Sequence, residues 1–435
     1  MDREIYKDLL DWKVSKRRKP LILEGARQVG KTYMMKLFGT KEYESVAYLN
    51  FEDNPELDSI FSKKLDAKRL ISELGLVAGV SILPGKTLII FDEIQESNSC
   101  LNSLKFFNEN ANEYHIISAG SLLGIKLNKP KSIPLGKVNY LKLYPMNFFE
   151  FLRALDKSDV VEKIQNSEVN ESLTEILHNE FLYLLKSYLV VGGMPEVVQN
   201  YVEERNYLLV RDIQNEILRG YELDFSKHAP AVDVPKISLI WKSIPSQLAK
   251  ENKKFVYKCV RNGARAREFE SALQWLFDAS LIYKCMNVET PKIPLKSYAN
   301  DHIFKIYMGD VGLLGALSQI EIKDVFESNK IFSEFMGAFI ENFVAQHLLS
   351  RNSKVQKELF YWTSSATSEV DFIFQKDSEI IPLEVKSGEN VKGKSLRVFY
   401  EKYGMHCYKV TPLNFKDQEW VTNLPLYAIN NLVDI

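Results

Sequence analysis

Short continuous apolar runs alternate, over the first 150 residues, with stretches whose apolar positions recur every three or four. The runs at 20–24 (PLILE), 45–51 (SVAYLNF), 87–91 (TLIIF), 114–118 (YHIIS) and 139–144 (NYLKLY) read as buried strands. Strands of this kind separated by helical patterns predict βαβ units and a parallel sheet. From about residue 145 the spacing becomes helical. Residues 148–155 and 173–191 carry apolar residues at helical spacing, and the second stretch stops at Gly192-Gly193-Met194-Pro195. Short helices are expected at 237–244, 245–251 and 266–278, and small strands at 281–286 and 292–299. A third regime begins near 331, with a long helix over 333–350 and alternating strands at 358–362, 370–375 and 380–386.

At roughly 100–200 residues per domain, 435 residues suggest two to four domains. A hydrophobic fraction of 46% with 26% charged residues is that of a globular protein able to bury large cores without staples. The net charge of −1 excludes a nucleic-acid or membrane footprint spread over the whole molecule, leaving only local basic patches. The basic run at 16–19 reads as a solvated cap before the first strand. Cys100, Cys259, Cys285 and Cys407 lie far apart with no CxxC pair, which argues against disulfides and structural zinc. The first residues lack a signal-peptide core, and no apolar run approaches the roughly 20 residues that span a bilayer. A cytoplasmic protein with no membrane partner is the expectation.

Gly25-Ala26-Arg27-Gln28-Val29-Gly30-Lys31-Thr32 is a full G-x-x-x-x-G-K-[ST] motif between a strand and a helix. Its glycines let backbone N–H groups turn toward phosphate oxygens, and the helix N-terminus adds partial positive charge. Lys31 is placed to meet the β- and γ-phosphates of ATP, and the Thr32 hydroxyl to ligate Mg2+. The run LIIFDE then ends a strand in Asp92, expected on the metal, and Glu93, expected to orient the attacking water. In HIISAGS, Ser121 is the first choice and Ser118 the second for a γ-phosphate sensor, with a plain turn serine as the alternative.

GARQVGKT, IIFDEIQ, IISAGSLL, YPMNFFEFL and GGMPEVV, in this order, resemble bacterial and archaeal AAA-type ATPases fused to a C-terminal domain of unknown function. The resemblance implies a P-loop NTPase core over 1–158 and a helical lid over 159–230. It further implies a winged-helix segment over 231–325 and a restriction-endonuclease-like α/β domain over 326–435. It also places Gly193 and Pro195 near the adenine. Gly136-Lys137 stands where these proteins usually carry Gly-Arg. Lysine lacks the planar bidentate contact of arginine with phosphate, so any arginine finger is left unassigned.

The C-terminal strands carry Glu369-Val370-Asp371 and Glu384-Val385-Lys386. The period of two puts Glu369 with Asp371 on one face and Glu384 with Lys386 on another. Brought together, Asp371, Glu384 and Lys386 would form an Mg2+ site with a group to position or deprotonate water. The pattern is similar to the D…ExK signature of restriction-endonuclease-like nucleases, and Glu341 resembles their extra helical acid. The same residues also suit two amphipathic strands with a salt-bridged face, or a nuclease fold that binds without cutting. Lys253, Lys254, Arg265 and Arg267 form a local basic cluster before a helix, suited to DNA or RNA phosphates or to plain solvation.

Two functions follow. One is an ATPase whose nucleotide state controls a nuclease-like module acting on DNA or RNA. The other is a nucleotide-dependent switch that binds protein partners and has an inactive C-terminal fold. Assembly into oligomers is compatible with both.

Overall fold

The computed structural model describes residues 1–120, 136–250, 253–327, 333–350, 358–364, 368–376, 378–388 and 393–434. Five strands, β1 (Leu21–Glu24), β2 (Ser45–Asn50), β3 (Thr87–Asp92), β4 (His115–Ala119) and β5 (Asn139–Lys142), form one sheet in the order β2-β3-β4-β1-β5, parallel throughout. β3 is buried at every position, as a central parallel strand must be. Its alternate residues feed two cores. Ile89 and Phe91 join Ile22, Leu70, Leu101 and Phe107 on one face. Leu88 and Ile90 join Leu21, Leu23, Met35 and Phe38 on the other. The strands all point the same way, so the turns after β1, β3 and β4 gather at one edge of the sheet.

Helices Phe148–Ala154, Glu175–Val191, Pro195–Glu204 and Tyr207–His228 follow, then Val234–Leu248, Tyr257–Val260 and Ala266–Asp278. The expected break at 245 does not occur. Pro245 lies inside Val234–Leu248, and that helix accepts one missing N–H because Ile240, Trp241, Ile244 and Leu248 are buried along its length.

A second sheet has the order β12-β13-β11-β10-β9-β8-β6-β7. Its strands are β6 (Ile282–Val288), β7 (Ala299–Met308), β8 (Leu359–Thr363), β9 (Glu369–Lys376), β10 (Glu379–Val385), β11 (Cys407–Thr411), β12 (Lys416–Gln418) and β13 (Val421–Pro425). The strand expected at 292–299 begins only at Ala299. Pro291 and Pro294 offer no N–H to a ladder, and Leu295–Tyr298 is a single 3-10 turn. β6 pairs with β8 in parallel, so the sheet runs from the 231–325 segment into the 326–435 segment without interruption. The helix Ser333–Ser350 lies against β7, where the Asn342 side chain both accepts from Met308 N–H (2.7 Å) and donates to Met308 O (3.1 Å). One apolar core extends from Ile5 through Tyr188 and Trp241 to Leu432, joining the first sheet to the second. Among the described residues, no helix is long and apolar enough to cross a membrane.

Candidate functional site

The turn after β1 has the backbone its glycines allow. Gly25 and Gly30 take φ of 144° and 92°, and a Cβ on Gly25 would sit 2.2 Å from Leu143 O. Gln28 adopts φ of 65° in the same loop. Lys31 begins the following helix and is buried, with its Nζ donating to Gly25 O (2.9 Å) and Ala26 O (2.8 Å). Burial pulls this ammonium down to about 8, while Glu93 and Asp92 pull the other way. The Thr32 hydroxyl donates to Asp92 Oδ2 (2.7 Å), and Tyr48 OH donates to the same oxygen (2.9 Å). Both predicted Mg2+ residues therefore stand in contact at the tip of β3, and a hydroxyl beside a buried carboxylate suits a hard cation with oxygen ligands. Glu93 follows in the left-handed region (φ 49°), a strained place for a residue with a Cβ, and accepts from Gln95 Nε2.

Neighbouring elements hold this loop in ways the sequence did not signal. Arg3, buried, donates to Val29 O (3.2 Å) and Tyr144 O (2.6 Å) and pairs with Glu150 (3.1 Å). Arg27 pairs with Asp224 of the helix Tyr207–His228, and Tyr221 OH from that helix donates to Arg27 O (3.0 Å). Pro195 packs on the loop, its Cγ 3.5 Å from where a Cβ on Gly30 would stand. Gly193 fits because any Cβ there would lie 2.0 Å from Met146 O, and its own carbonyl accepts from Met146 N–H (2.7 Å).

Ser118, next to last in β4, has a buried hydroxyl without a hydrogen-bond partner among the described residues. Ser121, the first choice for that role, lies outside the described residues. Lys137 pairs with Glu109 (2.8 Å) just before β5. That is the N-terminal edge of the sheet, opposite the edge that carries the Gly25–Thr32 turn, so Lys137 does not reach its own chain's loop.

Asp310 joins the two halves of the molecule. Its carboxylate accepts Gly193 N–H (2.6 Å), Leu313 N–H (2.9 Å) and Gln346 Nε2 (3.4 Å). Burial raises its pKa to about 6, against the backbone N–H groups that favour the charge. Gln346 also donates to Tyr188 OH (3.0 Å). A cavity of about 10 Å³ bounded by Ala26, Met194, Tyr221 and Asp310 separates the loop from the second sheet. One turn on from Phe343, His347 Nε2 accepts Phe148 N–H (2.9 Å), so the helix Ser333–Ser350 also caps Phe148–Ala154.

The same helix carries Glu341 into the C-terminal acid group. The β9–β10 register pairs Leu383 with Phe372, and one step further it sets Glu384 opposite Asp371. The two predicted carboxylates thus face each other across the hairpin. Asp371 Oδ2 accepts Val385 N–H (2.8 Å), and burial, reinforced by Glu341, raises its pKa to about 7. Glu384 Oε1 pairs with Lys386 (2.6 Å), while its Oε2 is buried without a hydrogen-bond partner among the described residues. Glu341 Oε1 pairs with Lys253 and its Oε2 accepts from Tyr307 OH (3.2 Å). Lys305, fully buried in β7, reaches Glu369 (2.6 Å). Burial works against the charge on Lys305, but Glu341, Glu369 and Asp371 outweigh it and hold the ammonium protonated. Burial likewise opposes the charge of Glu341, and Lys253 and Lys305 reverse this, lowering its pKa. Among the described residues no three carboxylates, imidazoles or thiols converge as metal ligands. The acids as they stand hold lysines and do not fit a metal. Arg265 and Arg267, at the start of Ala266–Asp278, are exposed.

Residues 17–152 match the family model of an AAA domain. They form an AAA-type P-loop domain. Downstream of this P-loop domain, residues 182–324 and 336–427 match two domains of unknown function (DUF8612 and DUF4143). No curated protein matches the chain. Solved structures similar to it include the Walker-type ATPase of Pyrococcus abyssi (15% identity, 73% of this chain and 95% of that chain, TM-score 0.44). The Orc1 protein of Aeropyrum pernix in complex with DNA is 14% identical over 73% of this chain and 91% of that chain, with a TM-score of 0.30. Cdc6p from Pyrobaculum aerophilum is 11% identical over 74% and 92%, with a TM-score of 0.24.

Proposed function

We propose that the chain is a Mg2+-dependent ATPase whose nucleotide state is passed to the C-terminal acid group. The contact of Thr32 with Asp92 (2.7 Å), beside a buried Lys31, carries this proposal. Lys31 exchanges two loop carbonyls for phosphate oxygens, and the N–H groups of residues 25–32 hold the rest of the polyanion. Thr32 and Asp92 would hold Mg2+, which neutralises charge on the transferred phosphoryl group. Glu93 orients water toward that group, and its release from Gln95 frees the carboxylate to do so. Ser121 and Ser118, the latter next to last in β4, are the candidates to sense the γ-phosphate.

The path onward uses contacts already in place. Pro195 rests on Gly30, and Gly193 two residues earlier is bonded to Asp310. Asp310 is bonded to Gln346, on the helix that carries Glu341. A nucleotide that shifts the 193–195 turn therefore loads the helix behind the acids. The C-terminal module would act on DNA or RNA, with Arg265 and Arg267 on phosphates. Calorimetry with ATP and Mg2+ tests the first part: binding by the parent and none by Lys31→Ala is expected, and equal binding by both would refute it. Hydrogen exchange tests the second, with ATP expected to alter protection in 333–350 of the parent but not of Asp310→Ala.

The pairing of Glu341, Glu369 and Glu384 with lysines favours the alternative of a catalytically inactive C-terminal fold that binds protein partners. Incubation with single- and double-stranded DNA and RNA in Mn2+ separates the two. Cleavage lost in Asp371→Ala and Lys386→Ala supports the nuclease; no cleavage and no salt-dependent binding supports the alternative.

A further inference from the structure

Between residues 250 and 267 the sequence holds seven basic residues against one acid, in a chain whose net charge is −1. Part of this charge borders a groove that nucleotide binding does not use. The groove encloses about 560 Å³, and Lys250, Lys254, Phe255, His302, Ile303 and Phe304 are among the residues that line it. Two features of the fold build it. β7 is the outer strand of the second sheet, and Met286 and Asn287, neighbours on β6, pair with Phe304 and Asn300. Asp301, His302 and Ile303 therefore bulge from the ladder, which leaves His302 exposed at the edge of the sheet. The segment 253–256 is tied down beside the bulge. Phe255 N–H donates to Phe304 O (2.8 Å), and the Gln247 side chain both accepts from Val256 N–H (3.0 Å) and donates to Val256 O (3.0 Å). The Phe255 ring stacks on Phe304 (5.5 Å, 14°), and Tyr257 meets it edge-on (4.9 Å). Lys253 reaches away to Glu341, while Lys254 lines the groove. Lys250 rests on Cys259 Sγ, a weak partner that a phosphate oxygen displaces.

We propose that this groove binds a single-stranded nucleic acid, with backbone phosphates on Lys250, Lys254 and His302 and a base against Phe255. The proposal rests on the action of the C-terminal module on DNA or RNA, and gives that nucleic acid a place and a strandedness. Cations beside a fixed aromatic stack suit a single strand. The lysines meet a charge at every nucleotide, and the ring meets a base that no partner strand holds. A duplex keeps its bases stacked inside and offers such a ring no open face. The groove lies within the roughly 300–1,000 Å³ of small-ligand sites, room for a nucleotide but not for a double helix. An acidic peptide would match the lysines and leave the aromatic wall without a flat partner.

The probes are labelled thymidine and uridine strands of about 12 nucleotides, the thymidine backbone without bases, and a duplex of the same length. Each is titrated with the full chain in EDTA, so that no cleavage intervenes, and followed by fluorescence anisotropy. The parent is expected to bind a single strand at least about tenfold more tightly than the duplex, and the ratio of thymidine to uridine strand names the preferred sugar. Lys250→Gln and Lys254→Gln should each lower the slope of log K against log salt by about 0.7, the share of one single-strand phosphate contact. Phe255→Leu should weaken the thymidine strand at least about fivefold and leave the strand without bases unchanged. If Phe255→Leu fails to fold, the two lysine slopes and the parent's preference for the thymidine strand over the baseless one decide, and absence of either overturns the proposal. Displacement of the thymidine strand by an oligoglutamate of equal charge at equal concentration would show recognition of charge alone and overturn it too. Salt-dependent binding that all three variants retain in full would overturn the groove but leave action on DNA or RNA standing. No salt-dependent binding of any probe by the parent would overturn both.

Discussion

Asp310 is a buried carboxylate with hydrogen-bond donors on two domains, and its replacement should separate what its shape contributes from what its charge costs. Asp310→Ala leaves Gly193 N–H and Leu313 N–H without their acceptor in a buried place, and takes from Gln346 Nε2 the longer of its two bonds. A buried donor stripped of its partner costs about 1–3 kcal/mol, and the bond to Leu313 is also a helix N-cap worth about 1 kcal/mol, so a loss of roughly 3–5 kcal/mol is expected. Asp310→Asn preserves the shape and removes the charge. The folded carboxyl titrates at about 6 against an ordinary value of 3.8, a gap of about 2 units or ~3 kcal/mol. A raised pKa contributes stability that is fully present below about pH 4 and is lost as pH climbs through about 6. The parent should therefore lose ~3 kcal/mol relative to Asp310→Asn between pH 4 and 7, with no further divergence above. Urea unfolding of both proteins across that range reads the difference directly. Parallel pH–stability curves for parent and Asn variant, or an Ala variant within about 0.5 kcal/mol of the parent, would refute the role assigned to this residue.

Gly193→Ala forces a Cβ against Met146 backbone atoms that cannot rotate away, and a loss of roughly 3 kcal/mol in urea unfolding is expected together with weaker ATP binding. Lys31→Ala should weaken ATP at least about a hundredfold, the worth of one strong charge-assisted contact. Because the free ammonium titrates at about 8 and phosphates favour its charged form, ATP affinity of the parent should fall above pH 8. Binding there should take up protons, visible as buffer-dependent heats in calorimetry. Lys305→Met removes a buried cation from Glu369, Glu341 and Asp371, and should cost about 3–5 kcal/mol, partly recovered by adding Glu369→Gln. Recovery absent in the double variant would show that Lys305 matters for packing alone.

The phosphate loop and its acidic strand were legible because their chemistry is local: glycines, a lysine and an apolar run fix backbone shape within a few residues. The helix over 333–350 and the helix over 266–278 were read to the residue for a similar reason, since their apolar spacing is regular and their ends are marked. Asp371 and Glu384 could be placed on facing strands from the period of two, with Lys386 just past the end of β10. Arg3, Tyr48, Asp310, Lys253 and Lys305 could not, because each acts through a partner between 44 and 141 positions away, and a single sequence carries no record of such pairings. Lys305 alone left a trace, as a lysine in the apolar run IFKIYM, which a solvated strand would not hold there. Pro245 misled in the opposite direction, since the local rule that prolines end helices yields when burial on both sides holds the helix together.

The pairing of β6 with β8 limits how the molecule can be taken apart. A fragment cut at 326 would carry the Asp371–Glu384 hairpin but leave β8 with a bare row of N–H and C=O groups where β6 belongs, an invitation to stack on other copies. It would also forfeit both Lys253 and Lys305. Expression of the C-terminal chemistry by itself calls for a start near residue 231, so that the hairpin arrives with the neighbours that neutralise and cover it.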